Sequence, residues 1–79
     1  MIAITVNDNG RTYMGKQWAE VLAKLHKDQL CPEKTDARYM RAVARRVKMY
    51  NGAIIRTDNA GHFLLDLHDT GLVHIESVL

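Results

Sequence analysis

Large apolar residues recur at every second position at the start of the chain. Ile2, Ile4 and Val6 are separated by Ala3 and Thr5, the period of a half-buried strand. Asn9-Gly10 follows, a dipeptide suited to the type I′ turn because both residues tolerate positive φ. Arg11 to Met14 then reads as the return strand. With Asn9 and Gly10 as the loop residues, Val6 falls opposite Tyr13, on the face that carries Ile4.

From Lys16 to Leu30 the period changes. Trp18, Val21, Leu22 and Leu25 recur at helical spacing, with Glu20, Lys24, Lys27 and Asp28 mostly on the other side. Pro32 helps to stop this helix. Thr35 or Asp36 can cap a second helix that runs to about Tyr50, with Tyr39, Met40, Val43, Val47 and Tyr50 as its apolar stripe. Asn51-Gly52 closes it, because glycine accepts the left-handed conformation after a helix end.

Ala53 to Arg56 is a short strand candidate. Thr57, Asp58 and Asn59 offer caps for a third helix ending near Thr70, with Gly71 just beyond. Phe63, Leu64 and Leu67 form its apolar stripe. Gly61 weakens that helix by roughly 1 kcal/mol relative to Ala, and a hairpin with Asn59 to Gly61 as its turn is the alternative. Leu72 to Val78 is the last strand, Val73 and Ile75 inward, His74 and Glu76 outward. The order β-β-α-α-β-α-β predicts an α+β fold: a small, mostly antiparallel sheet with helices packed on one face. Trp18, Tyr39, Val43, Val47, Phe63 and Leu67 are expected to join its core.

The 79 residues make a single domain, 1–79. A core this thin, beside an exposed strand edge, favours sharing apolar surface in a homodimer. One cysteine, Cys31, excludes an internal disulfide. No apolar run approaches the roughly 20 residues that span a bilayer, and Met1 to Val6 lacks the basic start of a secretory leader. The expected compartment is the bacterial cytoplasm.

The net charge of +2 hides a gradient. Residues 1–33 balance. Residues 34–56 hold Lys34, Arg38, Arg41, Arg45, Arg46, Lys48 and Arg56 against Asp36 alone, a net of +6. Residues 57–79 hold Asp58, Asp66, Asp69 and Glu76 and no Lys or Arg, a net of −4. Either the basic helix folds beside an acidic one, with Asp66 and Asp69 neutralising it, or it keeps a basic face free for a polyanion or an acidic protein surface.

Candidate chemistry is sparse. One cysteine and dispersed histidines do not form the tight ligand pairs of a structural zinc site, so neither a metal nor a cofactor is expected. The histidines read as surface residues, with His62 and Asp66 four apart on one helix face. Cys31, with His26 nearby in sequence, has the elements of an activated nucleophile, but a lone cytosolic cysteine is more often a passive small residue. Asp66 and Asp69 lie one turn apart without a sign of a pocket, and the glycines are too scattered for a phosphate loop. A non-enzymatic role is expected. Arg38, Arg41, Arg45, Arg46 and Lys48 are the candidate partner-binding residues. Arg41, Arg45 and Lys48 share one stripe at i, i+4, i+7, able to follow phosphates or engage an acidic protein face.

Tyr39-Met40-Arg41-Ala42-Val43-Ala44-Arg45-Arg46-Val47, Ile55-Arg56-Thr57-Asp58, Phe63-Leu64-x-x-Leu67 and Gly71-Leu72-Val73 resemble small accessory proteins of bacteriophages and prophages. The opening hairpin with Tyr13 and Gly15 before a helix fits as well. The resemblance covers most of the chain, but its motifs are packing motifs and identify no site. It implies a mobile-element protein that docks on a host protein or nucleoprotein complex, in some members as an inhibitor such as an anti-CRISPR. The alternative is a small nucleic-acid-binding protein using the basic helix 38–48.

Overall fold

A computed structural model of the chain describes residues 1–29 and 33–78. The elements are β1 (Ile2–Val6), β2 (Thr12–Gly15), α1 (Trp18–Lys27), α2 (Asp36–Asn51), α3 (Ala60–Asp69) and β3 (Val73–Val78). The sheet is antiparallel, with strand order β2-β1-β3. Alternation along β1 turns Ile2 and Ile4 toward the helices, where Val21, Leu22, Leu25, Phe63, Leu64 and Leu67 meet them in one core. The fold is therefore the expected α+β arrangement.

The hairpin register differs from the expectation by two residues. Ile4, not Val6, stands opposite Tyr13, and the Val6 N–H donates to the Arg11 carbonyl at 2.9 Å. The loop is thus Asn7–Gly10 rather than Asn9-Gly10 alone. Only Gly10 adopts positive φ, at 71°, whereas a type I′ turn needs it at both central residues. Asn9 instead uses its side chain to accept from the Arg11 N–H at 2.9 Å. A slip of two residues preserves the side-chain period, so Tyr13 still faces inward.

α1 is shorter than its apolar pattern, ending at Lys27 with Asp28 as C-cap. The expected continuation to Leu30, the stop at Pro32 and the candidate nucleophile Cys31 lie outside the described residues. α2 begins as expected, Thr35 accepting from the Arg38 N–H at 3.1 Å. It ends at Gly52, whose φ of 77° places it in the left-handed region and whose N–H donates to the Lys48 carbonyl.

Residues 60–69 are helix, not hairpin, with Asn59 as cap accepting from the His62 N–H at 2.8 Å. The strand expected at Ala53 to Arg56 does not form: the segment joins no ladder. It is fixed instead by side chains, Asn51 accepting from the Ala53 N–H and Asp66 from the Arg56 N–H. Among the described residues the order is thus β-β-α-α-α-β, one strand fewer than expected. β3 begins at Val73 and carries a bulge where its pairing with β1 shifts between Ala3 and Ile4.

Both sheet edges are partly plugged by side chains. On β2, Lys24 Nζ donates to the Met14 carbonyl at 2.6 Å. On β3, the Ile75 N–H donates to His68 Nδ1 at 3.3 Å. Each removes a backbone group that could template another strand.

Candidate functional site

α2 lies at the edge of the helical layer. Tyr39, Met40 and Val47 form its buried side. The Tyr39 ring stacks on His26 at 4.7 Å between centroids and meets Phe63 edge-on at 6.3 Å. Burial pushes the Tyr39 phenol up to about 12.

His26 is not the surface residue expected. It is buried in the last turn of α1, its Nδ1 lies 2.7 Å from Asp36 Oδ1, and its Nε2 has no hydrogen-bond partner among the described residues. The signal lay in the spacing: Trp18, Leu22 and His26 recur at i, i+4, i+8, which places His26 on the apolar face. This contact commits Asp36, the acid of α2, to the neighbouring helix rather than to the arginines that follow it.

Of the two alternatives for the basic helix, neutralisation by Asp66 and Asp69 is not seen among the described residues. Asp66 accepts three hydrogen bonds from Arg56, from its backbone N–H at 2.8 Å, its Nε at 3.0 Å and its Nη2 at 2.9 Å. That bidentate pair holds the Asp66 carboxyl below its ordinary range. His62, on the same helix face, acts on Asp66 through its charge, while its Nδ1 lies 2.8 Å from Asp58 Oδ2. Asp69 makes no ion pair with a described residue.

Of the eleven lysines and arginines, three are in ion pairs, and eight, Lys16, Lys27 and Lys34 among them, are in none with a described residue. Arg11 bonds Asp28 at 2.6 Å, Lys24 lies 3.6 Å from Glu20, and Arg56 bonds Asp66. By contrast, Arg38, Arg41, Arg45, Arg46 and Lys48 form no ion pair with any described residue. Arg38, Arg41 and Arg45 line one shallow hollow with Glu33 and Ala42. Arg45 and Lys48 line the next, whose opposite wall is Ala53, Ile54 and Ile55. Arg45 belongs to both, so Arg38, Arg41, Arg45 and Lys48 form one continuous cationic run of roughly 15 Å at 1.5 Å per residue.

Arg46 stands apart from that run. It follows Tyr39 by seven residues and lies on the same flank of the helix, where its charge acts on the Tyr39 phenol. Density along the sequence grouped it with the others, although spacing placed only Arg41, Arg45 and Lys48 on one stripe.

A larger open hollow lies beside β2 and α1, lined by Arg11, Thr12, Tyr13, Lys24, Lys27 and Asp28. Its charges are mostly used internally. Asp28 accepts from both Arg11 and Tyr13 at 2.6 Å, which lowers its pKa, and Lys24 is held by the Met14 carbonyl. Among the described residues, no group of His, Cys, Asp or Glu is placed to hold a metal, and no helix is long and apolar enough to cross a membrane. Compared with known protein families, curated proteins and solved structures, the chain matches none.

Proposed function

We propose that the chain is a non-enzymatic binding protein that docks on a host protein or nucleoprotein complex through the outer face of α2. The observation that supports this is the run Arg38–Arg41–Arg45–Lys48, exposed and without an ion pair among the described residues. Unpaired like charges repel, whereas helix faces that serve only solubility usually interleave acids at i, i+4. An acidic partner surface supplies the missing countercharge, speeds encounter and fixes register. A phage-type accessory protein of the bacterial cytoplasm, acting as an inhibitor by covering an acidic face of its target, fits this reading.

Capture from a bacterial lysate by the wild-type chain and by an Arg41→Glu, Arg45→Glu variant, read by mass spectrometry, tests it. A protein or nucleoprotein retained by the wild type and lost with a folded variant supports the reading. A partner retained equally by both contradicts it.

A second reading rests on the same run. Guanidinium groups in a row can follow a phosphate backbone, which would make the chain a small nucleic-acid-binding protein. Gel shift against duplex DNA and RNA at two salt concentrations separates the two, since counterion release makes nucleic-acid binding fall steeply with salt.

A further inference from the structure

The cationic run ends against an unusual segment. Residues 53–56 carry a strand-like pattern, Ile54 being 71% exposed and Ile55 6% exposed with Arg56 again outward, yet they pair with no strand. The backbone N–H and C=O groups of Ile54 and Ile55 make no hydrogen bond to a described residue. Between this segment and α2 lies the notch with Ala44, Arg45 and Lys48 on one side and Ala53, Ile54 and Ile55 on the other. It therefore combines apolar walls with backbone groups and two cations that have no partner among the described residues.

We infer that this notch is the specificity element of the docking face and receives an acidic protein segment with an apolar anchor residue. The inference rests on the cationic-face reading above and names its partner class. An apolar side chain seats against Ala44, Ala53 and Ile54. Flanking carboxylates meet Arg45 and Lys48 at the notch and Arg41 beyond it. The free backbone groups of Ile54 and Ile55 add main-chain hydrogen bonds, as extended peptides use when they dock beside an unpaired segment. Charge decides against a second copy of this chain meeting notch to notch, because Arg45 and Lys48 would then face their own duplicates. The apolar wall decides against nucleic acid: a phosphate backbone offers nothing to fill it, and an isoleucine supplies no stacking ring.

Fluorescence anisotropy with three labelled probes at low salt tests this: a short glutamate-rich peptide with a central leucine, its all-glutamate counterpart, and a single-stranded oligothymidylate. The leucine peptide is expected to bind about tenfold more tightly than the all-glutamate peptide, the worth of one buried apolar side chain. Ile54→Asp should remove that difference, and Ile54→Ser should reduce it, with melting checked for both. Arg45→Glu with Lys48→Glu should abolish binding of both peptides. Equal binding of the two peptides would overturn the notch while leaving the cationic face intact. Tightest binding of the oligothymidylate would overturn it in favour of the nucleic-acid reading. Failure of every anionic probe would remove the docking face itself, and the notch with it.

Discussion

The indole of Trp18, at the start of α1, occupies the space beside Gly61 in the first turn of α3. A Cβ on Gly61 would stand 3.2 Å from Trp18 Cδ1 and 3.4 Å from its Cγ. The glycine that weakens α3 by propensity is thus what lets the two helices approach. Gly61→Val should displace the ring, costing about 1–3 kcal/mol through overpacking, and shift tryptophan emission to the red. Trp18 is half-buried, so Trp18→Ala should cost about 2–3 kcal/mol, less than the roughly 3–5 typical of a fully buried aromatic. Denaturant melts followed by circular dichroism measure both.

The Trp18–Gly61 contact also marks how far the sequence could be read. Element identity was legible wherever one side of a strand or helix is buried: β1, α1, α2, α3 and β3 follow from apolar spacing, and Thr35, Asn59 and Gly52 serve as caps as their chemistry suggests. What spacing could not show was pairing across the fold. Nothing local says that Asp66 reaches Arg56 rather than His62 or α2, or that His26 turns inward to Asp36. The strand expected at 53–56 has the right residues but pairs with no strand among the described residues, its backbone being held by the side chains of Asn51 and Asp66 instead. At the candidate site, the residues were legible as a basic cluster. Spacing had placed Arg41, Arg45 and Lys48 on one stripe; joining Arg38 to it and setting Arg46 beside Tyr39 required the helix to be placed in the fold.

Asp66 is the anchor for the segment that closes the notch. Arg56 lowers its folded-state pKa, so the pair contributes stability above the ordinary carboxyl value of 3.8, and that contribution is lost as pH falls through the lower folded value. Asp66→Asn should lower the melting temperature at neutral pH and flatten its decline on acidification. Thermal melts of wild type and variant between pH 2 and pH 7, roughly the span over which carboxylates titrate, give the comparison.

Tyr39 sets an alkaline limit in the opposite sense. Its folded value of about 12 lies above the ordinary 10.0, so its contribution is fully present below pH 10 and lost as pH rises toward 12. A shift of that size corresponds to on the order of 2–3 kcal/mol. In a spectrophotometric titration Tyr39 should ionise last, and Tyr39→Phe should be more resistant to alkaline unfolding than the wild type.

The central claim is that the cations on the outer face of α2 serve a partner rather than the fold. The melting temperature of Arg41→Glu, Arg45→Glu at neutral pH and low salt tests it most directly. Reversing these two charges leaves Arg38 before Glu at 41 and Lys48 after Glu at 45, opposite-charge pairs at i, i+3 worth a few tenths of a kcal/mol each. A functional face predicts a melting temperature equal to or slightly above that of the wild type. A clear fall would show that the arginines are held by the fold and would contradict the account.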